Sequence, residues 1–214
     1  MGTTTSPMKP DPPSRHPDGH SPSKPFLLLH ICCGPCAGHV VEFLSPSYQM
    51  VGLFYNPNIH PREEFYRRLE AAWAVCRARG IPLWTSLYDP SRWSRAIRGR
   101  ESDPEGGERC RLCFSLRLEA TAFIASGSSF DFFATTLTTS PHKNARVINE
   151  EGEHWARVHA VGYLWSDFKK RDGHRRSLEI SKKLGLYRQR YCGCRFSTRP
   201  VDFSHGTSRG LICV

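Results

Sequence analysis

Seven of the nine cysteines in this 214-residue chain fall into three close-spaced groups. They are Cys32-Cys33-Gly34-Pro35-Cys36, Cys110-Arg111-Leu112-Cys113 and Cys192-Gly193-Cys194. Thiolates are soft ligands and nucleophiles, so groups at this spacing point to metal or redox chemistry rather than to a scattered disulfide framework. Cys32 and Cys33 stand together just ahead of a predicted helix, whose positive N-terminal end lowers thiolate pKa values. Cys110 and Cys113 form a C-x2-C pair at the start of another, with Gly106-Gly107 before it to let the backbone approach a ligand. Together Cys32, Cys33, Cys110 and Cys113 make a four-thiolate site, which zinc and a 4Fe-4S cluster both accept. The spacing does not separate the two metals, and buried apolar thiols at a tight turn are the bland alternative for the first group. Cys192 and Cys194, one glycine apart, could close into a small disulfide ring that is comparatively easy to reduce, or could serve as further ligands. Cys76 lies on the apolar stripe of a helix and reads as core, and Cys213 as an incidental thiol in a polar tail.

Strands and helices in alternation would position these groups. Phe26–Ile31 is a short apolar run, the pattern of a strand covered on both faces, and Ala37–Leu44 a helix after it. A strand is predicted at Met50–Tyr55, then a helix over Pro61–Arg79 with Pro61 in its first turn and Gly80 as its stop. Further strands are predicted at Ile81–Leu87, Phe130–Thr135 and Val158–Tyr163, and helices near Cys110–Ala125, Lys143–Arg157 and His174–Leu184. Such an alternation implies a single α/β domain, a mainly parallel sheet flanked by helices. In open sheets of this kind ligands bind at the carboxyl ends of the strands, where the first cysteine group falls.

The chain carries a formal net charge of +10. That balance suits a polyanionic partner, because each cation set against a phosphate releases counterions. Three basic stretches are candidates: Arg62–Arg68, Arg92–Arg100, and Lys169-Lys170-Arg171 with His174-Arg175-Arg176. The last follows Tyr163, Trp165 and Phe168, and rings beside guanidinium groups suit an exposed nucleotide, although a charge run is more often a solvated face. Residues 1–25 are rich in Pro, Ser and Thr without an apolar segment and read as a disordered tail, 26–197 as the catalytic domain, and 198–214 as a second tail. No secretion signal is expected. Pro25–Leu44 is broken by His30, Gly34, Pro35, Gly38 and His39, so no membrane span is expected. A cytoplasmic location is expected.

Read in order, LLLHICCGPCAGHVVEFL, FYNPNIHPREEFYRRLE, PEGGERCRLCFSLRLEATA, TTLTTSPHKNARVINEEGE and SDFKKRDGHRRSLEISKKLGLYRQRYCGCRFS resemble the QueH family of epoxyqueuosine reductases over about Phe26–Ser197. The resemblance implies the last step of queuosine formation. The epoxide of epoxyqueuosine, at the wobble position of a transfer RNA, is opened reductively to the cyclopentene. It also implies that Cys32, Cys33, Cys110 and Cys113 hold a 4Fe-4S cluster and that Cys192 and Cys194 form a redox-active disulfide. An additional iron ion beside the cluster is within the family's range, with Cys36 a candidate ligand. The electron donor stays unidentified. The implied fold is similar to that of nucleotide α-hydrolase and PP-loop enzymes; the glycine-serine phosphate loop is missing, so ATP use is not expected. Asp167 and His142, in polar family motifs, are candidates for proton transfer or substrate positioning, with a structural hydrogen bond the alternative for each. Two other readings stand beside the reductase: a zinc-stabilised RNA-binding module without catalysis, and a cluster-dependent transfer RNA thiolase. The redox-type CGC counts against the first, the missing phosphate loop against the second.

Overall fold

The computed structural model describes residues 24–197; both predicted tails, with Cys213, lie outside the described residues save for Lys24 and Pro25. Five strands form one parallel sheet in the order β3-β2-β1-β4-β5. They are β1 (Phe26–His30), β2 (Gln49–Phe54), β3 (Leu83–Thr85), β4 (Phe132–Thr135) and β5 (Gly162–Tyr163). The chain begins in the centre, builds outward to β3, then returns to the other side of β1 for β4 and β5. The order therefore reverses between β1 and β4, which opens a crevice at their carboxyl ends.

Six helices cover the sheet: α1 (Gly34–Leu44), α2 (Arg62–Ala78), α3 (Ser91–Ala96), α4 (Glu108–Gly127), α5 (Ala145–Val158) and α6 (Gly173–Lys183). Alternation along β1 sends Leu27, Leu29 and Ile31 into one core with Val40, Phe65 and Val75, and Leu28 into the opposite core with Phe114, Leu118, Phe133 and Ile148. One layer is thus α1 with α2 and α6, and the other α4 with α5. Helix α1 starts at Gly34 rather than at Ala37, with Pro35 in its first turn and Cys33 as its extended N-cap. Gly34 is required here, because a Cβ would run into the Ala71 backbone of α2.

Two strands, β5 and β3, are less than half their predicted length. Val158 ends α5, whose amphipathic pattern and Asn144 cap carry the helix up to it, and only Gly162–Tyr163 pairs with β4. Pro82 restricts β3 to three residues at the sheet edge. Helix α3 was not anticipated in the basic stretch 92–100. Its only strong apolar signals are Trp93 and Ile97, which are fully buried in a small third core with Cys113 and Cys194.

Candidate metal centre and catalytic cavity

The crevice between β1 and β4 opens into a cavity of about 610 Å³, lined among others by Cys32, Cys33, Cys36, Arg117, Lys143 and Cys192. Cys32 and Cys33 leave β1 directly. A 3-10 turn, Thr136–Thr139, leaves β4 beside them. The Cys32 amide donates to Thr136 Oγ1 at 3.0 Å, and the Thr136 hydroxyl donates to Cys32 Sγ at 3.3 Å. One turn of α1 brings Cys36 back, so that the sulfurs of Cys32, Cys33 and Cys36 lie within 4.8 Å of one another. Gln189 reaches in from the C-terminal segment and donates to Cys33 Sγ at 3.0 Å.

The three thiols do not ionise alike. The neighbouring Cys33 and Cys36 thiols hold Cys32 well below the ordinary cysteine range by donating to it. By the same sharing Cys33 is pushed up to about 12 and Cys36 is also raised. The expectation that adjacent thiols are both lowered is therefore corrected: the dipole acts on each, but a second buried negative charge beside the first costs more. Without a cation this group supports one thiolate; a soft cation would take all three.

Cys110 and Cys113 open α4, as their spacing indicated. The Gly106 amide donates to Cys110 Sγ at 3.2 Å. Cys110 packs against the same core that holds Cys32 and Cys33, while Cys113 is buried with Trp93 and Cys194. Burial raises both thiols, Cys113 to about 11. Among the described residues, the compact group is Cys32, Cys33 and Cys36, a different partition from the one drawn by the spacing.

Cys192 and Cys194 are free thiols. Cys192 lines the cavity and Cys194 is buried in the third core. Their segment is held by Arg68 of α2, which donates to the Cys192 carbonyl at 2.8 Å and to the Tyr191 carbonyl at 3.1 Å. The same guanidinium pairs with Glu64 at 2.7 Å, both side chains being almost fully buried. Gly193, at φ +119°, adopts a backbone that other residues rarely reach, and a Cβ there would press on Arg68 and Ile59. The His60 amide donates to Gly193 O at 2.8 Å, and the Tyr191 hydroxyl donates to the His60 carbonyl.

The remaining sequence candidates separate. His142 lines the cavity and is exposed. Asp167 is not among the lining residues; it pairs with Lys169 at 2.7 Å and Lys170 at 3.9 Å. Cys76 is core, and burial raises it to about 11. The basic segment 169–176 is largely compensated, since Arg175 pairs with Asp172 and Glu179, and Arg176 with Glu42 and Glu179. Of its aromatic neighbours only Trp165 is exposed; Phe168 is buried and Tyr163 half-buried. Arg68, counted in the first basic stretch, is a buried tether.

Residues of the site that were not identified from sequence include Arg117, Thr136, Lys143, Gln189 and the exposed, cavity-lining Arg188 and Arg190. Arg117 alone left a trace, a charge four residues after Cys113 and four before the buried Thr121, on the inward face of α4. Burial works against the Lys143 ammonium, but the thiols of Cys192, Cys32 and Cys36 outweigh it and hold the proton above the ordinary lysine range.

Among the described residues no helix is long and apolar enough to cross a membrane. A solved structure with the same fold is the U34-tRNA thiolase NcsA from Methanococcus maripaludis with its 4Fe-4S cluster, at TM-score 0.52 and 14% identity, over 83% of this chain and 62% of that one. The chain thus spans under two thirds of that structure, and the likeness is one of fold. Epoxyqueuosine reductase QueH of Streptococcus pyogenes serotype M1 is 40% identical over 82% of this chain and 71% of its own. The QueH of Acinetobacter baylyi is 40% identical over 82% of each chain, and that of Thermotoga maritima 33% identical over 80% of this chain and 89% of its own. With the profile of the family described as Epoxyqueuosine reductase QueH matching residues 27–200, this chain belongs to the QueH family.

Proposed function

We propose that the chain is an iron-sulfur oxidoreductase, located in the cytoplasm, that reduces epoxyqueuosine to queuosine at the wobble position of transfer RNA, with residues 26–197 as its catalytic domain. Both epoxide C–O bonds break, a carbon-carbon double bond forms, and the oxygen leaves as water on uptake of two electrons and two protons. The observation that carries this reading, in a chain of this family, is that Cys32, Cys33, Cys36 and Cys192 line one cavity, with Cys110 packed against the core of Cys32 and Cys33 and Cys113 buried beside Cys194.

The donor set fits a metal cluster, since buried thiols that cannot all ionise alone are stabilised together by a multiply charged soft cation. Cys32, Cys33, Cys110 and Cys113 would hold a 4Fe-4S cluster, and Cys36 would extend the set toward an additional iron ion. Such a group supplies low-potential electrons when bound. Cys192 and Cys194 would act as a dithiol whose closure to a disulfide releases two electrons and two protons, the count the reaction consumes. A donor, still unidentified, would then reopen the disulfide. His142 and the Lys143 ammonium both line the cavity, and they would bring a proton to the departing oxygen and bind its negative charge. Asp167 holds Lys169 and Lys170 and so shapes the segment that borders the site.

The test is anaerobic purification with iron, sulfide and zinc analysis, followed by turnover of transfer RNA carrying epoxyqueuosine with dithionite as reductant. Iron with labile sulfide and conversion to queuosine are expected. Stoichiometric zinc without sulfide would instead support a zinc-stabilised, non-catalytic RNA-binding module.

A further inference from the structure

A buried guanidinium keeps its charge, and removing it from water costs several kcal/mol unless an anion sits beside it. Arg117 is only 2% exposed and forms no ion pair with a carboxylate among the described residues. Its Nε donates to the Cys113 carbonyl at 3.0 Å, one turn back on α4, and its Nη2 is buried with no hydrogen-bond partner. It lines the cavity with Cys32, Cys33, Cys36 and Cys192. Glu105 also lines the cavity but is exposed and forms no ion pair with Arg117, so the buried negative charge available to balance it is sulfur. We infer that Arg117 is the counter-cation of the thiolate centre, a positioning residue that offsets the negative charge of whatever the cysteines hold and raises its reduction potential.

The inference rests on the cluster reading above. Each electron added to a thiolate-bound cluster makes the site one charge more negative, so a fixed buried cation favours the reduced state. Lys143 shares the cavity as a second cation, but it keeps some exposed surface, whereas Arg117 is 2% exposed and is the more fully desolvated of the two.

The experiment compares wild type, Arg117→Gln and Arg117→Lys, purified anaerobically as full chains, for iron and sulfide content and for midpoint potential by dithionite titration followed in the visible spectrum. Arg146→Gln, which removes an exposed arginine paired with Glu150, is the control and should leave the potential where it is. Arg117→Gln is expected to keep iron and sulfide while its one-electron reduction equilibrium falls about tenfold, equivalent to 59 mV in the negative direction. Arg117→Lys should return most of that difference. If Arg117→Gln loses its iron while Arg117→Lys keeps it, charge is again what matters and the inference stands. An unchanged potential in Arg117→Gln overturns it, as does equal loss of iron in both variants, which would make the guanidinium's shape and not its charge the requirement. Wild type without labile sulfide would sink the cluster reading first; wild type with a normal cluster and an insensitive Arg117 would sink this inference alone.

Discussion

At the scale of single residues, sulfur is distributed over three depths. Cys32, Cys33 and Cys36 meet at the cavity, Cys113 and Cys194 are buried with Trp93, and Cys192 reaches the cavity wall. Removing a thiol from the first group should therefore differ in kind from removing one of the last pair. Cys32→Ser or Cys110→Ser is expected to abolish most of the brown colour and all turnover, and Cys76→Ser to change neither. The double variant Cys192→Ser, Cys194→Ser should keep the cluster spectrum and bind transfer RNA yet convert epoxyqueuosine poorly. Visible spectra, iron content and product analysis check all three; loss of iron in the double variant would move Cys192 and Cys194 into the ligand set. Residue type and spacing were sufficient to single out all seven of these cysteines. They were insufficient to place Cys36 beside Cys32, because that contact depends on α1 starting at Gly34, three residues earlier than its apolar pattern shows.

At the scale of elements, the site depends on how closely α1 approaches α2 and on what α2 holds. Gly34→Ala would force a methyl group into the Ala71 backbone, and overpacking of this sort costs about 1–3 kcal/mol. A lower thermal midpoint and reduced iron loading are expected; an unchanged midpoint would mean that the helices can separate at no cost. Arg68 offers a second test, because it ties the Cys192–Gly193–Cys194 segment to α2 through two carbonyls. Arg68→Ala leaves the Glu64 carboxylate buried without its cation, at a cost of about 3–5 kcal/mol. Beyond that loss, Cys192 should alkylate several-fold faster in the folded variant, and an unaltered alkylation rate would show that the segment is held by other contacts. The alternation of strands and helices was legible because β1 and the amphipathic faces of α2 and α5 are locally determined. The tether was not, since Arg68 and Cys192 are 124 residues apart and a charged residue in a basic stretch carries no sign that it is buried.

At the scale of the whole molecule, the net charge of +10 is not evenly available to a partner. The segment 169–176, the most basic by sequence, has Lys169, Lys170, Arg175 and Arg176 engaged by acidic neighbours. Arg188 and Arg190, in contrast, are exposed, line the cavity and form no ion pair among the described residues. Cations already neutralised within the fold release few counterions from RNA, whereas unpaired ones release their full share. On the proposed reading, the anticodon phosphates should therefore meet Arg188 and Arg190 when the modified base enters the cavity. The double variant Arg188→Ala, Arg190→Ala is expected to weaken transfer RNA binding and to reduce the slope of log affinity against log salt by about two, one per lost phosphate contact. Arg175→Ala with Arg176→Ala should change that slope by much less, even though it removes the same formal charge. Filter binding across a salt series distinguishes the cases. Equal slopes for the two double variants would show that affinity follows net charge alone and that the cavity mouth has no privileged contact with the RNA backbone.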